Sequence, residues 1–166
     1  MFRRWEHPIF MMRNCTSVNA DSSADLKNPW QASHLGTAMD VFSKLRNMKI
    51  LLIDDDEWIR DSLSIFFEAE GCSIVSVETA EEGLEAIRSQ DYDIIITDYK
   101  LPGMDGIEFL RQIRTSQRNA KKILITAYKS ELVVEEAKKA GVQHLIAKPF
   151  TSETIEASLT YLTADR

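Results

Sequence analysis

From Met48 onward the sequence breaks into five short apolar runs separated by longer helical patterns, and few architectures accept that alternation. The runs fall at 49–53, 73–77, 93–97, 122–126 and 144–147. They are apolar at consecutive rather than alternate positions, as strands covered on both faces are. Between them, Ile59, Leu63, Phe66 and Phe67 form a helical stripe that ends before Gly71, and Thr79 with Glu82 predicts a capping box opening a second helix with Leu84 and Ile87 inward. Leu110 and Ile113 mark a third helix after Gly106, Val133 and Ala137 a fourth between Ser130 and Gly141, and Ile155, Leu159 and Leu162 a fifth. Five βα units in about 120 residues are too few for a closed eight-unit barrel, which needs roughly 200 or more. The expected fold is therefore α/β, a doubly wound five-stranded parallel sheet with five helices.

The 166 residues have room for one such domain, placed at 48–166, plus an N-terminal extension, 1–47. That extension sustains no helical or strand period and is expected to be disordered or loosely held, apart from a short amphipathic helix that Met39, Phe42 and Leu45 would permit within 37–47. A second reading starts the native protein at Met48, which would make 1–47 an artefact of start-site choice. Lys and Arg number 6 against 4 Asp and Glu in 1–47, but 14 against 22 in 48–166, so the acidic excess lies wholly in the domain. An acidic domain argues against direct nucleic-acid binding. No apolar stretch approaches the roughly 20 residues of a membrane span, and the basic start lacks a signal-peptide core. Cys15 and Cys72 have no metal or redox spacing, Cys72 reading as a buried thiol, and His7, His34 and His144 form no ligand set. A cytoplasmic location is expected.

In doubly wound sheets the functional groups gather at the carboxyl ends of the strands. Those ends carry Asp54, Asp55 and Asp56 after the first strand, Asp98 after the third, Thr126 after the fourth and Lys148 followed by Pro149 after the fifth; the second, an outer strand, gives Glu78. Singly, each has a plain reading: helix N-terminal anions, a strand threonine, a surface lysine. Together they describe a pocket. Carboxylates about 4 Å apart repel by roughly 4 kcal/mol per pair at an effective dielectric near 20, so the cluster needs a cation. An all-oxygen ligand set without Cys or His favours Mg²⁺ over zinc. Lys148 and the Thr126 hydroxyl suit an anion bridged to that metal, and a phosphoryl group fits.

The segments Leu52–Asp56, Ile96–Gly106, Ile125–Ala127 and Ala147–Phe150, in that order and on those strand ends, resemble the signature set of response-regulator receiver domains, and the likeness covers essentially all of 48–166. It implies a flavodoxin-like sheet of order 2-1-3-4-5, with Asp98 as phosphoacceptor, Asp55 as direct Mg²⁺ ligand and Asp54 as ligand or water-mediated partner. Lys100 would lend its backbone carbonyl to the metal, Thr126 and Lys148 would hold phosphoryl oxygens, and Lys148–Pro149 would be a cis peptide. The implied phosphodonor is a histidine kinase or histidine phosphotransfer protein. The implied role is signalling rather than turnover, with at most self-catalysed phosphotransfer and autodephosphorylation. Because few residues follow Leu162, output is expected through an unidentified downstream protein, with dimerisation on phosphorylation a further expectation. The family usually carries an aromatic three residues before the lysine, where this chain has Leu145; Tyr128 offers a ring nearby. Two alternatives remain at this point. One is a phosphatase of the haloacid dehalogenase type using Asp54 and Asp56, against which stands Trp58 where Thr or Val is expected. The other is a degenerate receiver serving only as a binding module.

Overall fold

The computed structural model describes residues 41–164. Strands β1 (Lys49–Ile53), β2 (Ser73–Val77), β3 (Ile94–Asp98), β4 (Lys121–Thr126) and β5 (His144–Ala147) alternate with helices α1 (Glu57–Ala69), α2 (Ala80–Ser89), α3 (Gly106–Gln112), α4 (Glu131–Lys139) and α5 (Ser152–Thr163). All neighbouring strands pair in parallel, in the order β2-β1-β3-β4-β5. This is the expected doubly wound fold.

Alternate side chains of each central strand feed opposite faces, and both faces are covered, which is why the strands read as unbroken apolar runs. Ile50, Leu52, Ile94, Ile96, Ile123 and Ile125 pack with Ile59, Leu63 and Phe67 of α1 and Ile155, Leu159 and Leu162 of α5. Leu51, Ile53, Ile95 and Leu124 pack instead with α2, α3 and α4 through Ala80, Phe109, Leu110, Val133 and Ala137. Outer strand β2 is largely exposed.

Each helix opens on an extended residue whose side-chain oxygen accepts a backbone N–H of the first turn: Asp56, Thr79, Asp105, Ser130 and Thr151. The capping box expected at Thr79 is displaced by one residue. Thr79 accepts from the Glu82 N–H, but the Glu82 carboxylate takes the N–H of Glu78. β3 likewise runs one residue later than expected. Asp93 stands before it, its carboxylate accepting the Lys49 N–H, and Asp98 is its last residue, in register with Ile125.

The segment expected to be loosely held reaches into the packed body. Residues 41–45 are helical, and Val41, Phe42 and Leu45 are buried in the cluster under α1 and α5. Phe42 meets Phe66 edge to face, and Arg46 donates to the carbonyl of Glu70 at the carboxyl end of α1, a helix with no basic residue in its own last turn. A boundary at Met48 would remove three core side chains, and the short helix allowed for within 37–47 is seen at 41–45; Met39 and the rest of 1–40 lie outside the described residues. Leu45, fully buried, gives the test: Leu45→Ala should lower unfolding stability in urea by about 2–5 kcal/mol. A loss below about 0.5 kcal/mol, the level of an ordinary surface change, would show that the segment adds nothing to the core.

Candidate functional site

Parallel register brings the strand ends level. Ile53 pairs with Thr97, Asp98 with Ile125 and Thr126 with Ala147, so Asp54, Asp98 and Lys148 converge at one edge of the sheet. The Lys148 ammonium lies 3.1 Å from Asp54 Oδ2 and 3.0 Å from Asp98 Oδ1. Lys148 is anchored to the neighbouring strand by its own N–H, which donates to the Thr126 carbonyl, and the Lys148–Pro149 peptide is cis. Asp54 is fully buried and its Oδ1 accepts the Asp56 N–H at 2.9 Å. Asp98 is nearly as buried, and its Oδ2 accepts the N–H of Lys100 at 3.2 Å.

The chain around Asp98 is tightly drawn. The Tyr99 N–H donates to the Ile125 carbonyl, and the Gly106 N–H donates back to Tyr99. A Cβ on Gly106 would stand 2.0 Å from the carbonyl oxygen of Asp98, so this position admits glycine alone. Gly103 turns the loop with φ +78°. Asp55 is exposed at the rim, and its carboxylate joins those of Asp54 and Asp98 in a group with one oxygen of each within 4.8 Å of the others.

The structure thus brings together Asp54, Asp55, Asp98 and Lys148, with Lys100 beside Asp98 through its N–H. Thr126 is buried at the end of β4, but its hydroxyl is engaged locally, accepting the Tyr128 N–H at 2.9 Å and lying 3.3 Å from the Tyr128 carbonyl. The Tyr128 ring is exposed, with the Lys100 ammonium 4.9 Å from its centroid. Leu145 is half-buried against the α2–α4 face. Asp56 is not in the group: its carboxylate caps α1, which withdraws the second acid that a haloacid dehalogenase reading needs. Arg60 of α1, which no motif in the sequence singles out, donates to the Asp54 carbonyl.

Burial pushes Asp54 up to about 6 against the pull of Lys148 and the Asp56 N–H, and the charge of Asp98 adds to the rise. Burial likewise raises Asp98 despite Lys148, with Asp55 adding to the rise. Burial alone would favour a neutral amine at Lys148, yet its two carboxylate partners hold its pKa above the ordinary lysine value. One ammonium therefore does not satisfy three carboxylates, and an all-oxygen group in that condition fits a hard divalent cation. Because folded Asp54 holds a proton that the unfolded chain releases near 3.8, stability falls as pH rises from about 4 to about 7. In chelator, urea denaturation should find the protein about 1–2 kcal/mol more stable at pH 5 than at pH 7.5, with the difference reduced in Asp54→Asn. Equal or greater stability at pH 7.5 would contradict this account of the buried pair.

The response regulator receiver domain profile matches residues 50–160. Sporulation initiation phosphotransferase F of Bacillus subtilis is 33% identical over 111 residues, spanning 67% of this chain and 90% of that protein. Chemotaxis protein CheY-3 of Vibrio cholerae is 34% identical over 119 residues, spanning 69% and 90%. Among solved structures, a CheY-like receiver domain protein of Methanospirillum hungatei superposes with a TM-score of 0.63 at 33% identity over 69% of this chain and 94% of that one. Chemotaxis response regulator CheY4 of Vibrio cholerae does so with 0.66 at 26% identity over 69% and 98%. With the profile covering the whole run from β1 into α5, and the acidic cluster and lysine at the strand ends, the chain belongs to the response regulator receiver domain family.

Proposed function

We propose that Asp98 accepts a phosphoryl group from a phosphohistidine of a histidine kinase or histidine phosphotransfer protein. The observation that carries this reading is Asp98 itself, a nearly buried carboxylate grouped with Asp54 and Asp55 and ion-paired to Lys148. In the transfer a carboxylate oxygen of Asp98 forms the new P–O bond as the P–N bond to the donor imidazole breaks, and the electron pair stays on the leaving nitrogen. Asp54 and Asp55, with Asp98 and the Lys100 carbonyl, would hold Mg²⁺. Once bound, that ion supplies positive charge to the phosphoryl oxygens. Lys148 can turn its ammonium from Asp98 toward an incoming anion while keeping Asp54, since it already reaches both. Thr126 would exchange its local bond with Tyr128 for a phosphoryl oxygen.

The relative from Bacillus subtilis is named a phosphotransferase and the Vibrio cholerae relative a chemotaxis protein, and both names suit a receiver that takes phosphate and signals through contact. For this chain we further propose output to an unidentified downstream protein, dimerisation on phosphorylation, slow self-catalysed loss of the phosphoryl group, and a cytoplasmic setting shared with the donor. Among the described residues no helix is long and apolar enough to cross a membrane. The test is labelling from a small phosphodonor. Incorporation should require a divalent metal, stop with chelator and be lost in Asp98→Ala. Undiminished labelling of that variant would remove the assignment, and general phosphatase turnover abolished by Asp56→Asn would favour the dehalogenase-type reading instead.

A second expectation concerns how far the signal travels. Leu145 has no ring to swing and no hydroxyl to re-pair, so it offers little differential affinity between two states. With a phosphoryl mimic, amide exchange should slow clearly in the loops after Asp98 and Thr126 and only slightly across 130–162. Strong protection across 130–162 would mean that Tyr128 or another group carries the switch.

A further inference from the structure

Arg60 stands four residues after the N-cap Asp56, at the amino end of α1. A cation there faces the positive end of the helix dipole and gains nothing from it, so another contact must account for its place. Its Nη1 donates to the main-chain carbonyl oxygen of Asp54 at 2.7 Å, and its Nη2 lies 3.7 Å from the Glu78 carboxylate. The Arg60 side chain is mostly buried, whereas that of Glu78 is exposed. Glu78 follows β2 directly, and its N–H is held by the Glu82 carboxylate in the first turn of α2 at 2.9 Å. One guanidinium therefore spans α1, the end of β1 and the end of β2.

The carbonyl it holds belongs to the peptide joining Asp54 to Asp55. A peptide is planar, so fixing that oxygen also fixes the N–H of Asp55 and the point from which the Asp55 side chain departs. Asp54 and Asp98 have Lys148 to hold them; Asp55 is exposed at the rim. We propose that Arg60 is a positioning residue for the acidic cluster, clamping the Asp54–Asp55 peptide against Glu78 so that the Asp55 carboxylate meets those of Asp54 and Asp98. The proposal rests on the reading of the cluster as a Mg²⁺ site and adds a residue outside the ligand set.

Electrostatics and positioning make opposite demands here. Removing a cation near a metal site should by charge alone tighten Mg²⁺ binding. Loss of a residue that orients a ligand should weaken it, by about tenfold. Two-dimensional amide spectra of the full chain, recorded through a Mg²⁺ titration, yield the dissociation constant and report the fold at once. Arg60→Met should raise that constant about tenfold while amides distant from the site keep their positions. In metal-free protein the Asp56 N–H, which donates to Asp54 Oδ1, should exchange faster in the variant. If Arg60→Met does not fold, Arg60→Lys, which keeps the charge and loses the fork, should show the same two changes in smaller degree. Unchanged or tighter Mg²⁺ binding in the variant, with the wild type binding and Asp55→Ala not, would overturn the clamp and leave the metal-site reading standing. Absence of Mg²⁺ binding in the wild type would overturn both.

Discussion

Two carboxylates almost cut off from water stand at the ends of adjacent strands, and the ammonium of Lys148 lies about equally close to both. Most of the site depends on that arrangement. Without the lysine, Asp54 and Asp98 would be buried charges facing each other, and removing one partner from such a group is among the costlier single changes a core can suffer. With it, the pair stays deprotonable, although burial still holds both acids above their ordinary range. The lysine follows β5, two strands from β3, and spans that distance because the parallel register brings the ends of β3, β4 and β5 level. The sheet order thus decides which side chains can meet: β1, β3 and β5 carry the charged groups, and β4 contributes a threonine between them.

The same arrangement shows why the site is poised rather than satisfied. Lys148 supplies one positive charge to a group of three carboxylates, and Asp55, at the rim, is placed to complete an oxygen ligand set. The Thr126 hydroxyl is engaged with the Tyr128 backbone, the bond that the proposed function would have it exchange for a phosphoryl oxygen. Over this mouth, Lys100 rests on the Tyr128 ring. Leu145 brings no ring to this mouth, and the exposed ring beside it belongs to Tyr128 on the loop after β4.

The sheet and its five crossover helices were legible because both faces of the central strands are covered and every helix opens on a capping side chain, two signals that local sequence carries well. The grouping of Asp54, Asp55, Asp98 and Lys148 was legible because strand ends are where a parallel sheet collects function. Three features were legible only in part or not at all. The spacing of Met39, Phe42 and Leu45 allows a short helix, but does not show that Val41, Phe42 and Leu45 would be buried with residues of α1 and α5. For Asp56 the sequence leaves two readings, pocket acid or helix N-terminal anion, and the Trp58 N–H that it accepts decides for the second. Arg60 acts on a main-chain carbonyl, and no pattern of side chains announces which carbonyl a guanidinium will find.

The central claim is that Asp98 is the atom-level acceptor. The direct measurement is reductive trapping: the chain is treated with a phosphodonor and Mg²⁺, reduced with borohydride, which converts an acyl phosphate to the alcohol, and mapped by peptide mass spectrometry. The account predicts homoserine at position 98 and unmodified aspartate at 54, 55 and 56. Conversion at Asp54, or at none of the four, would contradict it.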